Sequence, residues 1–290
     1  MKKLTALGAA AMAAAMVRQH LLYRRTRREV IGDRQALVYA QSTFHVLTFV
    51  ALDDKEGIID RVRALVAQVE AEGATLIYAG QAVFVLHSDQ IGVTEWDAVL
   101  LVQYPSREAY QHATLAAGVE KELRAFTRTY SHGMTRPAGL NLLMPQFLLG
   151  LRSLDLLRRN PPEPLRTADE APTAEGDDRT RIDALRSHDS SALVVVNLIA
   201  HGDEAQQRAN RAYGLRMLRR MAAGAHGPIH LGSAVTLDGG ADFDDVALVH
   251  YPGSQYFAEL VSSEFFQSII GDKQLRDTQA VPTVPIIDQI

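Results

Sequence analysis

The 290-residue sequence contains no cysteine, a single tryptophan and no uncharged apolar run of membrane-spanning length. The lack of cysteine excludes disulfides, thiolate metal sites and a cysteine nucleophile. There is no glycine-rich phosphate loop, no His-Glu-x-x-His helix and no Gly-x-Ser-x-Gly elbow, so the best-known signatures of nucleotide, zinc-protease and serine-hydrolase chemistry are missing. Two acidic stretches, "GDDRTR" and "DGGADFDD" (from Asp238), have spacing too irregular for a calcium loop and read as solvated turns.

What is present describes a globular protein, with 47% apolar and 22% charged residues and length enough for two cores. The net charge of −4 is unevenly spread: residues 1–35 carry eight Lys/Arg against Glu29 and Asp33. A basic head on an acidic body points to an anionic partner surface and away from nucleic acid for the body. The head begins "MKKLTALGAAAMAAAMVRQHLLYRR", whose uncharged stretch Leu4–Val17 is shorter than the roughly 20 residues that a spanning helix needs. Three readings are open for it: a membrane anchor or interfacial helix, a secretory signal, or an ordinary packed helix. In the anchor reading the arginine cluster that follows leaves the body on the cytoplasmic side; in the signal reading the body is exported after cleavage.

From Thr43 the chain alternates strand and helix patterns. "FHVLTFVAL" reads as a strand, "IIDRVRALVAQVEAEG" as a helix capped at Gly73, and "ATLIYAGQAVFVL" and "WDAVLLVQY" as two more strands. A helix starting at Ser106 turns Tyr110, Ala113 and Leu115 inward, and "RAFTRTYSHGM" closes the unit. Residues 43–137 thus spell β-α-β-β-α-β, a ferredoxin-like unit. Residues 138–190 hold an apolar helix interrupted by Pro145 and Gly150, packed across the two units, and a Pro- and charge-rich linker. Residues 191–290 then repeat the first pattern. "EWDAVLLVQYPSREAY" at Glu95 returns as "DFDDVALVHYPGSQYF" at Asp242, and "YAGQAV" returns as "HLGSAV". The last strand of this second unit contains Pro282 and Pro285, which predicts an edge position.

The repeated Gly-containing strand, the aromatic-Asp-x-Val strand ending in Tyr-Pro, and the helix aromatic that follows resemble the dimeric α+β barrel superfamily, and within it a bacterial ferredoxin-like family of unknown function. The resemblance implies two sheets packed face to face around a shared interior, here built from one polypeptide. Its α+β fold would carry the basic N-terminal helix as an addition. Pairing of two such chains is compatible with it. Some members of the superfamily bind heme through a helix histidine, which makes His112 the residue to inspect; nothing else in the sequence specifies a cofactor.

Alternation along the repeated strand puts Val99, Leu101 and Gln103 on one face and Val246, Leu248 and His250 on its counterpart. Gln103 and His250 are therefore equivalent. His250 is the first acid–base candidate because imidazole titrates near neutral pH; His45 and His230 follow, and Tyr78 occupies the place equivalent to His230. Gln103 and Tyr78 are expected as ligand-binding groups. For all of these the competing reading is structural, with His250 and Gln103 at the rim. Asp97 and Asp244, Tyr104 and Tyr251 recur in both copies and read as structural. Two functions fit: a cofactor-free oxygenase or isomerase acting on a small apolar or aromatic molecule, or a non-enzymatic ligand-binding or assembly module at a membrane. A heme protein is the weaker third.

Overall fold

The computed structural model describes residues 2–31, 36–86, 88–158, 164–168, 176–224, 226–237 and 240–290. In chain order the elements are α1 (Lys2–Ile31), β1 (Phe44–Ala51), α2 (Ile58–Ala71), β2 (Thr75–Ala82), β3 (Ala98–Tyr104), α3 (Arg107–Thr114), α4 (Ala117–Arg124), β4 (Arg128–Thr135), α5 (Leu140–Leu157), α6 (Gly176–Ser187), β5 (Leu193–Ala200), α7 (Glu204–Gly224), β6 (Gly227–Val235), β7 (Asp245–Tyr251), α8 (Ser254–Val261), α9 (Glu264–Ile270) and β8 (Asp277–Pro285). The eight strands close into an antiparallel barrel, β1-β3-β2-β8-β5-β7-β6-β4.

The first four strands lie side by side as β4-β1-β3-β2 and the last four as β8-β5-β7-β6, which is the same order. Register repeats too: Phe44 faces Tyr104 as Leu193 faces Tyr251. A bulge falls between Leu76 and Tyr78 and again between Pro228 and His230. Each sheet alone would leave one apolar face uncovered, and closure through the β2–β8 and β4–β6 seams buries both faces against each other.

Three cores result. Inside the barrel, Leu47, Phe49, Val99, Leu101, Val196, Leu198, Val246 and Leu248 meet. The outer faces carry α2, α3 and α4 on one side and α7, α8 and α9 on the other, with Val62, Leu65 and Leu100 in the first layer and Met217, Leu193 and Leu260 in the second. Tyr104 packs on Tyr110 at 5.2 Å and Tyr251 on Phe257 at 4.6 Å, so the repeated tyrosines join sheet to helix. The repeated aspartates cap a neighbouring strand: Asp97 Oδ2 accepts from the Leu52 N–H (2.8 Å) and Asp244 Oδ2 from the His201 N–H (2.6 Å).

Several sequence expectations need correction. The strand with Pro282 is not at an edge, because a closed barrel has none. Ala280 exchanges both backbone hydrogen bonds with Leu86, and on the same side of β8 the Pro282 carbonyl accepts from Val83. The missing N–H of Pro282 therefore falls where β8 meets the irregular chain after β2. Leu115 is not inward but 83% exposed, since the expected helix breaks there into α3 and α4. Ser106 does cap α3, accepting from Ala109 N. The apolar helix α5 runs unbroken through Pro145 and Gly150, and packs on α1 and α7 through Met144, Leu148, Leu151, Tyr23 and Ala222. The linker holds helix α6, whose Leu185 is buried in the second outer core. Among the described residues no helix is long and apolar enough to cross a membrane.

Candidate functional site in the barrel interior

Strands β1, β2, β5 and β6 begin at one end of the barrel, and β3, β4, β7 and β8 finish there. The other end is plugged by aromatic side chains: Trp96 lies 5.6 Å from Phe49, Tyr130 lies 6.2 Å from it, and Phe243, the repeat counterpart of Trp96, shares the cluster. The first end is polar. Period-2 alternation continues the inner rows outward from Leu47 to His45, from Leu101 to Gln103 and from Leu248 to His250. His45, Gln103 and His250 thus lie on the inner face, where Tyr78 and His230 also fall, facing Leu101 and Leu248. His45 and His230 have no solvent exposure and His250 only 4%.

The structure brings some of these together and separates others. His45 and Gln103 are directly opposed across β1 and β3. His250 belongs to the other half, opposite Val194 on β5 and Gly227 on β6. His230 faces Leu248. Tyr78 is committed elsewhere: its hydroxyl lies 2.5 Å from Thr283 Oγ1, which donates to the Val194 carbonyl at 2.8 Å. Burial pushes the Tyr78 phenol well above its ordinary range. Among the described residues no three His, Asp or Glu side chains converge as a metal site; Asp238 of the acidic stretch lies outside those residues.

His45 is held neutral. Burial, then the nearby Arg136 charge, lowers its pKa to about 3, although the Gln103 side chain opposes this. Neither ring nitrogen completes a hydrogen bond of good geometry, and the same is true of Gln103 Oε1. A base this weak is a poor proton acceptor at neutral pH but a serviceable hydrogen-bonding group. His132, on the inner face of β4, is lowered to about 4 by burial against the opposing charge of Asp242; the Tyr130 hydroxyl lies 3.2 Å from its Nδ1, and its Nε2 has no partner.

Two neighbours of His45, Arg136 and Tyr39, and Asn141 beyond them were not singled out from the sequence. Arg136 lies one residue beyond β4 and donates to the Tyr39 hydroxyl (2.9 Å), Asn141 Oδ1 (3.1 Å) and the Ile229 carbonyl (3.4 Å). Its guanidinium stacks 4.7 Å over the Tyr39 ring, whose edge meets His45 at 5.1 Å. Asn141 in turn donates to the Ala36 carbonyl at 2.6 Å. The alternation Tyr130, His132, Met134, Arg136 carries the signal that Arg136 continues an inward row. Val30 of α1 is fully buried in the interior cluster, and the Tyr23 hydroxyl donates to the Pro228 carbonyl at 2.9 Å, so α1 packs against this part of the barrel.

The remaining candidates lie apart from this cluster. An open depression at the opposite end is lined by His201, Asp203, Gln206, Asp244 and Arg276, where His201 Nε2 pairs with Asp245 at 2.7 Å. His112, the helix histidine inspected for heme, is on the outer surface of α3, with its side chain 85% exposed and 4.0 Å from Glu72. That position offers no enclosed face for a macrocycle, so His112 does not fit an axial ligand.

No family model matches the sequence, and no curated protein is similar to it. Several solved structures resemble its backbone weakly, three of them as follows. A protein assigned as a monooxygenase from Lactobacillus acidophilus is 9% identical, over 84% of this chain and 94% of that one, with a TM-score of 0.43. A mutant chlorite dismutase from Candidatus Nitrospira defluvii is 13% identical, over 88% and 97%, at 0.48. A protein of unknown function from Rhodopseudomonas palustris is 19% identical, over 34% of this chain and 85% of its own, at 0.26. Likeness at this level does not bear on activity. What the structure itself shows is two four-stranded sheets of the same strand order closed into one barrel.

Proposed function

We propose that the chain is a tandem α+β barrel, made of two ferredoxin-like units joined covalently, and that the polar end of its interior binds a small apolar or aromatic molecule. The observation that carries this is the cluster of buried polar side chains at that end. Beyond a poorly aligned contact with the Gln103 side chain, His45 completes no hydrogen bond from either ring nitrogen although it has no solvent exposure, and leaving a buried polar group unpaired costs roughly 1–3 kcal/mol. Groups kept at that cost mark a place where a ligand completes the pairing. The aromatic plug at the other end confines the ligand to the polar end. His45 and Gln103 orient the molecule; isomerase or oxygenase chemistry would be assigned to His250 or His230, two further inner-face histidines.

Trp96 is the only tryptophan and lies in the aromatic plug of the interior, so its emission reports unfolding of the barrel. Urea unfolding of the full-length protein followed by Trp96 emission is expected to show a saturable rise in midpoint with added monosubstituted benzenes. A ligand at a hundred times its Kd should stabilise the fold by about 2.7 kcal/mol. An unchanged unfolding midpoint across the series would remove the interior-binding reading.

A second reading concerns the surface of α1 and α5. Met12, Met16, Val17 and Leu21 of α1 are exposed, as are Leu143, Phe147, Leu154 and Leu157 along one stripe of α5, with Arg18, Arg24 and Arg25 exposed beside them. We assign this face to an anionic lipid surface, which would bring the end of the barrel nearest α1 close to a source of apolar ligands. Full-length protein is expected to sediment with phosphatidylglycerol-containing vesicles and not with phosphatidylcholine alone. At about 1 kcal/mol per arginine, replacing Arg18, Arg24 and Arg25 by Gln should weaken binding by about a hundredfold. Equal sedimentation with both vesicles would exclude the electrostatic docking.

A further inference from the structure

We infer that the polar end of the barrel takes the carboxylate of an aromatic or otherwise apolar acid, with Arg136 as its counter-ion; this rests on the interior-binding reading above. Arg136 is partly buried, and its Nε is fully enclosed without a partner. Its hydrogen bonds go to Tyr39, Asn141 and a backbone carbonyl, all of them neutral. Among the described residues no carboxylate pairs with it. Other arginines of the chain do find one: Arg124 with Glu120, Arg216 with Asp272, Arg219 with Asp155 and Arg276 with Asp242. A guanidinium withdrawn from water without a counter-charge is costly, and its planar fork matches the two oxygens of a carboxylate.

The neighbouring groups agree with that ligand. His45 sits beside the guanidinium and Gln103 sits opposite His45. A neutral imidazole presents one N–H, a donor suited to the same anion. From there the inner rows turn apolar at once, with Leu47, Leu101 and Met134. The order of groups is therefore cation, neutral donor, then hydrocarbon, which is the order in a small apolar acid.

Isothermal titration of the full-length protein with benzoate and with benzamide, its neutral isostere, tests the charge assignment. Benzoate is expected to bind at least about tenfold more tightly than benzamide, the worth of one charge-assisted hydrogen bond. Arg136→Gln should abolish that preference, so that the two probes bind alike. Equal affinities in the native protein, or a preference that survives Arg136→Gln, would overturn the inference and leave the interior-binding reading standing. Binding of neither probe would overturn both. Should Arg136→Gln not fold, Arg136→Lys replaces the fork by a point charge and is expected to lose about fivefold or more for benzoate; unchanged affinity would count against the assignment.

Discussion

Lowering the pH from 6.5 to 4 is expected to unfold the protein. The cause is a set of histidines buried in the neutral form: His45 with its pKa lowered to about 3, and His132 and His226 each to about 4. Burial is the first cause in all three, and none is more than 3% exposed. In the unfolded chain these rings titrate near 6.5. As pH falls below that value the unfolded state binds protons that the native state refuses, so stability drops with pH. Each ring contributes up to about 1.4 kcal/mol per pH unit across the window between its unfolded and folded values. By pH 4 the three together remove about 10 kcal/mol, comparable with the whole stability of an ordinary domain. The stabilisation is fully present above pH 6.5 and is lost as pH approaches the folded values. Urea unfolding at stepped pH measures it. His45→Gln should reduce the slope between pH 6 and 4 by about one proton; a stability independent of pH in that range would contradict the burial of neutral rings.

The second large effect is expected at the two seams. Gly80 stands opposite Pro285 where β2 meets β8, and Gly232 stands beside Thr135 where β6 meets β4. A Cβ on Gly80 would strike the Tyr78 hydroxyl and Thr283; one on Gly232 would strike the Thr135 carbonyl and the Met134 side chain. These glycines occupy matching places in "YAGQAV" and "HLGSAV", so one sequence device admits the partner half at both seams. Gly232→Val is expected to cost about 3 kcal/mol or more, because the obstructing atom is backbone and cannot rotate away. Gly214 in α7 has open space around it, and Gly214→Ala should stabilise by up to about 1 kcal/mol through helix propensity. The urea midpoints of the two variants should move in opposite directions; a Gly232→Val midpoint equal to that of the native protein would mean that the seam is not closed as described.

Architecture was legible in the sequence because it was written twice. The pairs Asp97/Asp244, Tyr104/Tyr251 and Gly80/Gly232 each perform the same task in both halves, and repetition separates such fold-determining residues from the rest. Strand alternation likewise sufficed to put Gln103 and His250 at equivalent places on one face, and the repeat made Tyr78 the counterpart of His230. What the sequence hid were groupings made by closure. Tyr78 is tied to Thr283, 205 residues away, and no local pattern announces that pairing. Alternation along β4 points Arg136 inward but does not announce what encloses it, because Tyr39, Asn141 and Ile229 come from three separate segments. The prolines of β8 misled for the same reason: an edge rule applies to open sheets, and closure removed the edge while leaving an irregular side to receive Pro282. Leu115 was misplaced because a helix-period pattern continued through a break that only the α3–α4 turn creates.

A ligand at the polar end of the barrel interior is expected to perturb the histidine rings there. Imidazole proton–nitrogen correlation spectra of the full-length protein, with isotope-labelled histidine and increasing benzoate, test it most directly. The ring signals of His45 and His132 should shift in a saturable way, while those of His112 and His188, which lie on the outer surface, stay fixed. Unmoved His45 and His132 signals at benzoate concentrations that shift the surface histidines would contradict the account.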